Sequence, residues 1–150
     1  MIISIGNDHG GHDLAINIIR FFEKHHVGVF YYGTFDNEIS VDYPDFVFPV
    51  VNDVRNEKSQ FGILICRSGI GMCIAANKYN KIRAVNATTP EMAMLSRQHN
   101  DANVLCLGSH FVSKNSANKI IEAFVGSQFL FGRHLRRLNK LSVIEKFERK

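Results

Sequence analysis

The opening residues constrain the fold more than any other stretch of this chain. Ile2 to Asn7 is a short apolar run rich in β-branched side chains; Gly10-Gly11 interrupts it, and Leu14, Ile18 and Phe22 then recur at helical spacing. The pattern is strand, glycine turn, helix, and it repeats. Residues 27–32 are expected as a strand, 45–56 as a helix, 61–66 as a strand, 71–77 as a helix and 82–86 as a strand. Thr89-Pro90-Glu91 opens the next helix, with proline at the first helical position, where its missing N–H is not needed. Residues 103–107 form a fifth strand, Ser113 caps a helix to about 124, and a last helix runs from about 129 towards 146. Pro49 falls inside the 45–56 segment, where an interior proline costs ~3 kcal/mol or more. A kink or a late helix start is expected there.

Five strands alternating with helices imply an α/β fold, a three-layer α-β-α sandwich around a five-stranded parallel sheet of Rossmann-like or flavodoxin-like type. With 150 residues, 45% of them hydrophobic, the chain can close one core, and no repeat or linker divides it, so a single domain over 1–150 is expected. No apolar run reaches the ~18–20 residues that span a bilayer, and the amino terminus lacks a signal-peptide pattern. A cytoplasmic protein without membrane association is expected. Cys66, Cys73 and Cys106 are odd in number and form no C-x-x-C pair, which favours reduced thiols over disulfides or a zinc site. The net charge of +4 would permit nucleic-acid binding, but basic residues are scattered except over 133–140 and no aromatic stacking surface accompanies them. Nucleic acid is not an expected partner.

In an open parallel sheet, ligands bind beyond the carboxyl ends of the strands, so the turns there are the first candidates for a site. After the first strand comes Asp8-His9-Gly10-Gly11, a carboxylate and an imidazole among residues that are also ordinary in turns. After the third comes Cys66-Arg67-Ser68-Gly69-Ile70-Gly71-Met72, a thiol before a glycine loop whose N–H groups can face an anion. That anion is a phosphate or an oxyanion formed in reaction, and the thiol points to the second, for which a positioned donor is worth ~3–4 kcal/mol. Cys66 as a buried apolar filler is the plain alternative, and the glycine loop tips the balance towards function. The loop is neither a Walker motif nor a Rossmann fingerprint. Arg133 and Arg137 share a helix face, either as a phosphate clamp or as a solvated basic surface. His99 ends the fourth helix, at the amino edge of the sheet and opposite the two turns. His9, His25, His26, His99, His110 and His134 do not fall into a recognised metal-ligand spacing, so no metal is expected.

Taken together, Asp8-His9-Gly10-Gly11, Asp42-Tyr43-Pro44-Asp45-Phe46, the run from Cys66 through Ser68-Gly69-Ile70-Gly71-Met72 to Ala75-Ala76-Asn77-Lys78, Ser96-Arg97-x-His99-Asn100-Asp101 and Gly132-Arg133-His134-x-x-Arg137 resemble the ribose-5-phosphate isomerase B family. The similarity covers essentially the whole chain. The resemblance implies a cofactor-free aldose-ketose isomerase in which Cys66 removes the C2 proton of the open-chain sugar and an enediolate is reprotonated at C1. A thiol, ordinarily near pKa 8.5, suits that task when helix ends and cations favour its ionised form. By the same resemblance Ser68, where the family often has threonine, relays a proton or holds a substrate oxygen, and Gly69, Ile70 and Gly71 stabilise the enediolate. His99 would open the sugar ring with Asp8 as its partner across the site; His9, Arg133 and Arg137 would grip the phosphate; Tyr43 and Asn100 would contact the sugar.

Because His99 lies at the wrong edge of its own sheet, His99 and Asn100 are expected to act in a neighbouring subunit's site. This makes the protein a homodimer with shared active sites and its C-terminal helix packed on the partner; whether dimers pair into tetramers stays open. Two positions depart from the family pattern. Arg67 stands where glycine is common, and His110 where an arginine often helps bind phosphate. The family also holds isomerases of six-carbon sugar phosphates, allose 6-phosphate and galactose 6-phosphate, so these substrates remain an alternative. A non-catalytic phosphate-binding module is the other, but it has no use for the thiol or for His99.

Overall fold

The computed structural model of the chain describes residues 1–148; the last two residues of the expected 1–150 domain lie outside it. Five strands, β1 (Ile2–Asn7), β2 (Gly28–Tyr31), β3 (Phe61–Cys66), β4 (Ala84–Asn86) and β5 (Val104–Gly108), alternate with α1 (His12–Lys24), α2 (Val47–Arg55), α3 (Ile70–Ala76) and α4 (Pro90–Asn100) before α5 (Lys114–Val125) and α6 (Arg133–Glu148). All strand pairings are parallel, in the order β2-β1-β3-β5-β4. The order begins as in flavodoxin-like sheets and exchanges the last two strands.

Period-two alternation divides the core between the two faces of the sheet. Ile63, Ile65, Leu105 and Leu107 face one layer, where Leu14, Ile18 and Phe22 of α1 and Ile120 and Phe124 of α5 meet them. Leu64, Cys66, Val104 and Cys106 face the other, against Val47, Val50 and Val51 of α2 and Met72 and Ala76 of α3. Each of the larger of these side chains contributes about 1.5–3 kcal/mol by leaving water, and with both faces covered β3 and β5 read as runs without a polar residue.

The expected caps are in place: the Thr89 side chain accepts the Met92 N–H, and Ser113 accepts that of Ser116. The boundaries that differ have local causes. A 3₁₀ turn, Tyr43–Phe46, occupies the start of the 45–56 segment, so α2 begins late and Pro49 falls in its first turn, where no intrahelical N–H is required. β4 begins at Ala84 rather than at 82 because the Arg83 N–H donates to the Asn103 side chain at 2.8 Å, outside the strand ladder. α6 begins at Arg133 rather than near 129 because Phe131 and Gly132 both take positive φ, 52° and 55°, which a right-handed helix cannot include.

Chain direction across the sheet diverges between β1 and β3: from β1 the chain moves outward to β2, then returns past β1 to β3. A crevice opens at such a point beyond the carboxyl ends. Asp8 and Cys66 flank it.

Candidate active site

Cys66 closes β3 with its side chain buried, and its Sγ accepts the Gly69 N–H at 3.1 Å. The turn that aims this amide needs Gly69. Its φ is +76°, and a Cβ there would come within 2.6 Å of Asn86 Oδ1 and within 2.9–3.0 Å of the Leu107 and Gly108 backbone. Ser68 Oγ accepts the Ile70 N–H at 3.2 Å, which holds the next residue of the loop in place. Across from Gly71 lies Tyr43, first residue of the 3₁₀ turn before α2. A Cβ on Gly71 would reach 2.7 Å from its ring, so the ring seats on bare backbone beside the loop.

On the β1 side, the Asp8 carboxylate accepts the Gly11 N–H at 3.0 Å, and the Asp8 N–H donates to Ile65 O. Burial pushes the Asp8 carboxyl above its usual range, against the opposing pull of the Gly11 N–H, His9, the Gly10 N–H and Arg67. The neighbouring His9 accepts the Val41 N–H on Nδ1, which places the proton of the neutral ring on Nε2 and leaves an N–H free to donate to an anion. The turn after β5 ties the two loops together. Ser109 N–H donates to Cys66 O, Ser109 Oγ to Gly10 O at 2.6 Å, and the His110 N–H to Arg67 O. The Arg67 and His110 side chains themselves face solvent.

A second polar group sits at the other edge. His99, at the end of α4, stacks on His134 with ring centroids 4.3 Å apart and planes 6° from parallel. The Leu130 N–H donates to Gln98 O, which docks the start of α6 beside the end of α4 and brings Arg133 and Arg137, both exposed, to the same place. Burial, His99 and the two arginines hold the His134 imidazole below its usual pKa. Asn100 is exposed next to His99. The length of β5 separates this edge from Cys66, roughly 17 Å at ~3.3 Å per residue.

The ribose/galactose isomerase family model matches residues 3–141 of this chain. The chain belongs to that family. It is 41% identical over 143 residues to the ribose-5-phosphate isomerase B of Escherichia coli (strain K12), with 95% of each chain covered. Among solved structures, ribose-5-phosphate isomerase B of Clostridium thermocellum superposes with a TM-score of 0.94 at 44% identity, covering 97% of this chain and 98% of that one. The Mycoplasma genitalium ribose-5-phosphate isomerase B, solved with bound ribulose-5-phosphate, superposes with a TM-score of 0.92 at 39% identity and 97% coverage of both.

Of the residues singled out from sequence, this ribose/galactose isomerase gathers Asp8, His9, Tyr43, Cys66, Ser68, Gly69, Ile70 and Gly71 at the carboxyl edge and His99, Asn100, Arg133 and Arg137 at the amino edge. Within one chain the expected phosphate grip is therefore divided, with His9 on one edge and both arginines on the other. Four residues of consequence escaped the sequence reading. Ser109 laces the loops; His134 backs His99; Asn86, the last residue of β4, donates from Nδ2 to Ser68 O at 3.3 Å. Cys73, the fourth, has its thiol drawn down to about 7 by hydrogen bonds from the Cys106 thiol, the Asn86 N–H and the Asn77 amide, with burial opposing. Asn86 could have been found from its position alone, since it ends a strand at the ligand-binding edge. His134 and Cys73 carry no such signal, because their importance lies in contacts between α4 and α6 and between α3 and β5. Among the described residues no helix is long and apolar enough to cross a membrane.

Proposed function

We propose that this enzyme interconverts ribose 5-phosphate and ribulose 5-phosphate by proton transfer between C2 and C1. The observation that carries the reading is the buried Cys66 sulfur at a strand end, facing a backbone N–H of the loop that follows it. As a thiolate, Cys66 takes the C2 proton; the electron pair moves into the C1–C2 bond and onto O1, giving an enediolate. Returning the proton to C1, with a proton passing from O2 to O1 by way of the Ser68 hydroxyl, yields the ketose. The Gly69 N–H holds the sulfur and the Ile70 N–H holds the Ser68 hydroxyl; in this reading the positive field of the Gly69–Gly71 loop favours the oxygen charge that develops beside it, and Tyr43, packed on Gly71, borders the substrate.

The amino-edge group serves a second copy of the chain in this reading. His99 of one subunit, with Asn100, reaches the Cys66 site of the other, opens the furanose ring opposite Asp8, and brings Arg133 and Arg137 to the phosphate beside His9 Nε2. The separation of the two groups along β5 supports a site shared across a homodimer, with α6 at the contact. The whole chain, 1–150, acts as one cytoplasmic domain.

Activity on ribose 5-phosphate, allose 6-phosphate and galactose 6-phosphate, assayed side by side, tests the substrate; the pentose phosphate is expected to give the highest kcat/KM. Cys66→Ala is expected to lower kcat by at least about a thousandfold. Unchanged turnover in that variant, with the fold intact, would remove Cys66 from the chemistry.

A further inference from the structure

We propose that Asn86 is a positioning residue for the reaction, clamping the Ser68–Gly69 peptide so that its N–H stays on the Cys66 sulfur. The proposal rests on the reading of Cys66 as the group that moves the proton. One peptide unit carries both contacts: its carbonyl, from Ser68, accepts Asn86 Nδ2 at 3.3 Å, and its N–H, from Gly69, donates to Cys66 Sγ at 3.1 Å. The unit is planar with its C=O and N–H opposed, so fixing the oxygen fixes the direction of the hydrogen. Hydrogen bonds at the two ends also polarise each other, which strengthens the one to sulfur. Without a clamp, a glycine at φ +76° permits the peptide to turn over and present the Ser68 carbonyl to the sulfur, two acceptors face to face.

Asn86 is built to resist that. It ends β4, in register with Cys106 of β5, so its Cα is held by the sheet. Its Oδ1 is buried without a partner and lies 2.6 Å from where a Gly69 Cβ would be. Exchanging the amide's oxygen and nitrogen would set Oδ1 against the Ser68 carbonyl, so the donor must be the end that faces the loop. A buried unpaired carbonyl is a standing cost that an apolar residue of similar shape would not carry. Stability alone gives no reason for asparagine here; the clamp does.

The test replaces Asn86 by leucine, similar in shape but without a donor, and by serine, too short to reach the loop. Alkylation of Cys66 by iodoacetamide is followed against pH by peptide mapping, which separates Cys66 from Cys73 and Cys106, and kcat and KM are measured over the same range. Both variants should alkylate Cys66 about five- to tenfold more slowly at pH 7, with the half-plateau pH displaced upward. The acidic limb of the kcat profile should move by the same amount, KM should stay within about twofold, and Asn86→Leu should melt no lower than the parent. An unmoved alkylation midpoint in folded variants, or a fall in kcat uniform across pH, would overturn the proposal. Failure of the Cys66 reading itself appears differently, as full turnover in Cys66→Ala, and leaves the alkylation result to be read on its own.

Discussion

At the carboxyl edge of the sheet, the polar groups of the site leave strand ends or the loops directly after them, and Ser109 laces those loops together, its N–H donating to Cys66 O and its hydroxyl to Gly10 O. At the amino edge, the polar groups ride on the last turn of α4 and the first turn of α6, and a ring stack together with one backbone hydrogen bond, from Leu130 to Gln98, joins the two helices there. The first region is knit into the end of the sheet; the second rests on the packing of two helices, with His134 buried and Arg133 and Arg137 exposed beside it. A side chain at a strand end inherits the rigidity of the sheet, whereas one on a helix end is placed only by how two helices pack; in the proposed reading the first holds the reacting sulfur and the second serves a neighbouring subunit.

Cys66 and His99 separate the two edges most sharply. Cys66→Ala and His99→Asn should each be nearly inactive on ribose 5-phosphate. After subunit exchange in an equal mixture, about half of the dimers pair one variant with the other, and each such dimer holds one intact site, so about a quarter of the parental activity should return. A mixture as inactive as its components, with exchange demonstrated, would place both residues in one subunit's site.

A smaller effect sharpens the contrast through two glycines of similar backbone shape. Gly69 and Gly132 both take positive φ, +76° and +55°, but a Cβ on Gly69 would strike backbone within 3.0 Å, whereas one on Gly132 has nothing within 4 Å. Gly132→Ala should cost only the conformational penalty, about 1–2 kcal/mol. Gly69→Ala should cost about 2–4 kcal/mol and most of the activity, because relief comes only by moving the loop off Cys66. Urea midpoints compare the two; equal losses would mean that the loop is not tightly held.

The same contrast governs what could be read from the chain before folding it. Strand ends are written locally: the run Phe61–Cys66 is apolar and the glycines after it mark the turn, so the strand end at Cys66, its loop and the parallel sheet are legible. Pro49 announces a kink or a late helix start, of which the structure takes the second, and Thr89-Pro90 announces the opening of α4. The start of α6 was not legible, because Phe131 adopts a left-handed backbone that its residue type does not announce. Nor was the His99–His134 stack, which depends on how two helices far apart in sequence cross. Arg133 and Arg137 announced a common helix face, and that face alone does not say which edge of which sheet it meets. A test of their role follows. Arg137→Ala should raise KM about tenfold with little change in melting temperature, since the side chain is exposed; a large loss of stability would make it structural instead.

The finest separation of the two edges comes from pH, where they should respond with opposite sign. Asp8 is a carboxyl whose native pKa is raised above the ordinary 3.8, chiefly by burial. Its ionised form is therefore penalised in the folded state, so its contribution is present below pH 3.8 and is lost as pH rises through the native value. His134 is a base whose native pKa is lowered from 6.5, chiefly by burial and then by the charges of His99, Arg133 and Arg137. Its contribution is present above pH 6.5 and is lost as pH falls through the native value. Asp8→Asn should thus be more stable to urea than the parent at pH 7 even as activity falls, with the advantage gone below pH 3.8. His134→Gln, which cannot titrate, should lose stability less steeply than the parent on acidification from pH 6.5. A parent whose urea midpoint runs parallel to both variants from pH 7 down to pH 3.5 would mean that neither edge carries the strain assigned to it. If instead Asp8→Asn alone departs, the burial cost belongs to the carboxyl edge, and the environment of His134 costs its charged form nothing.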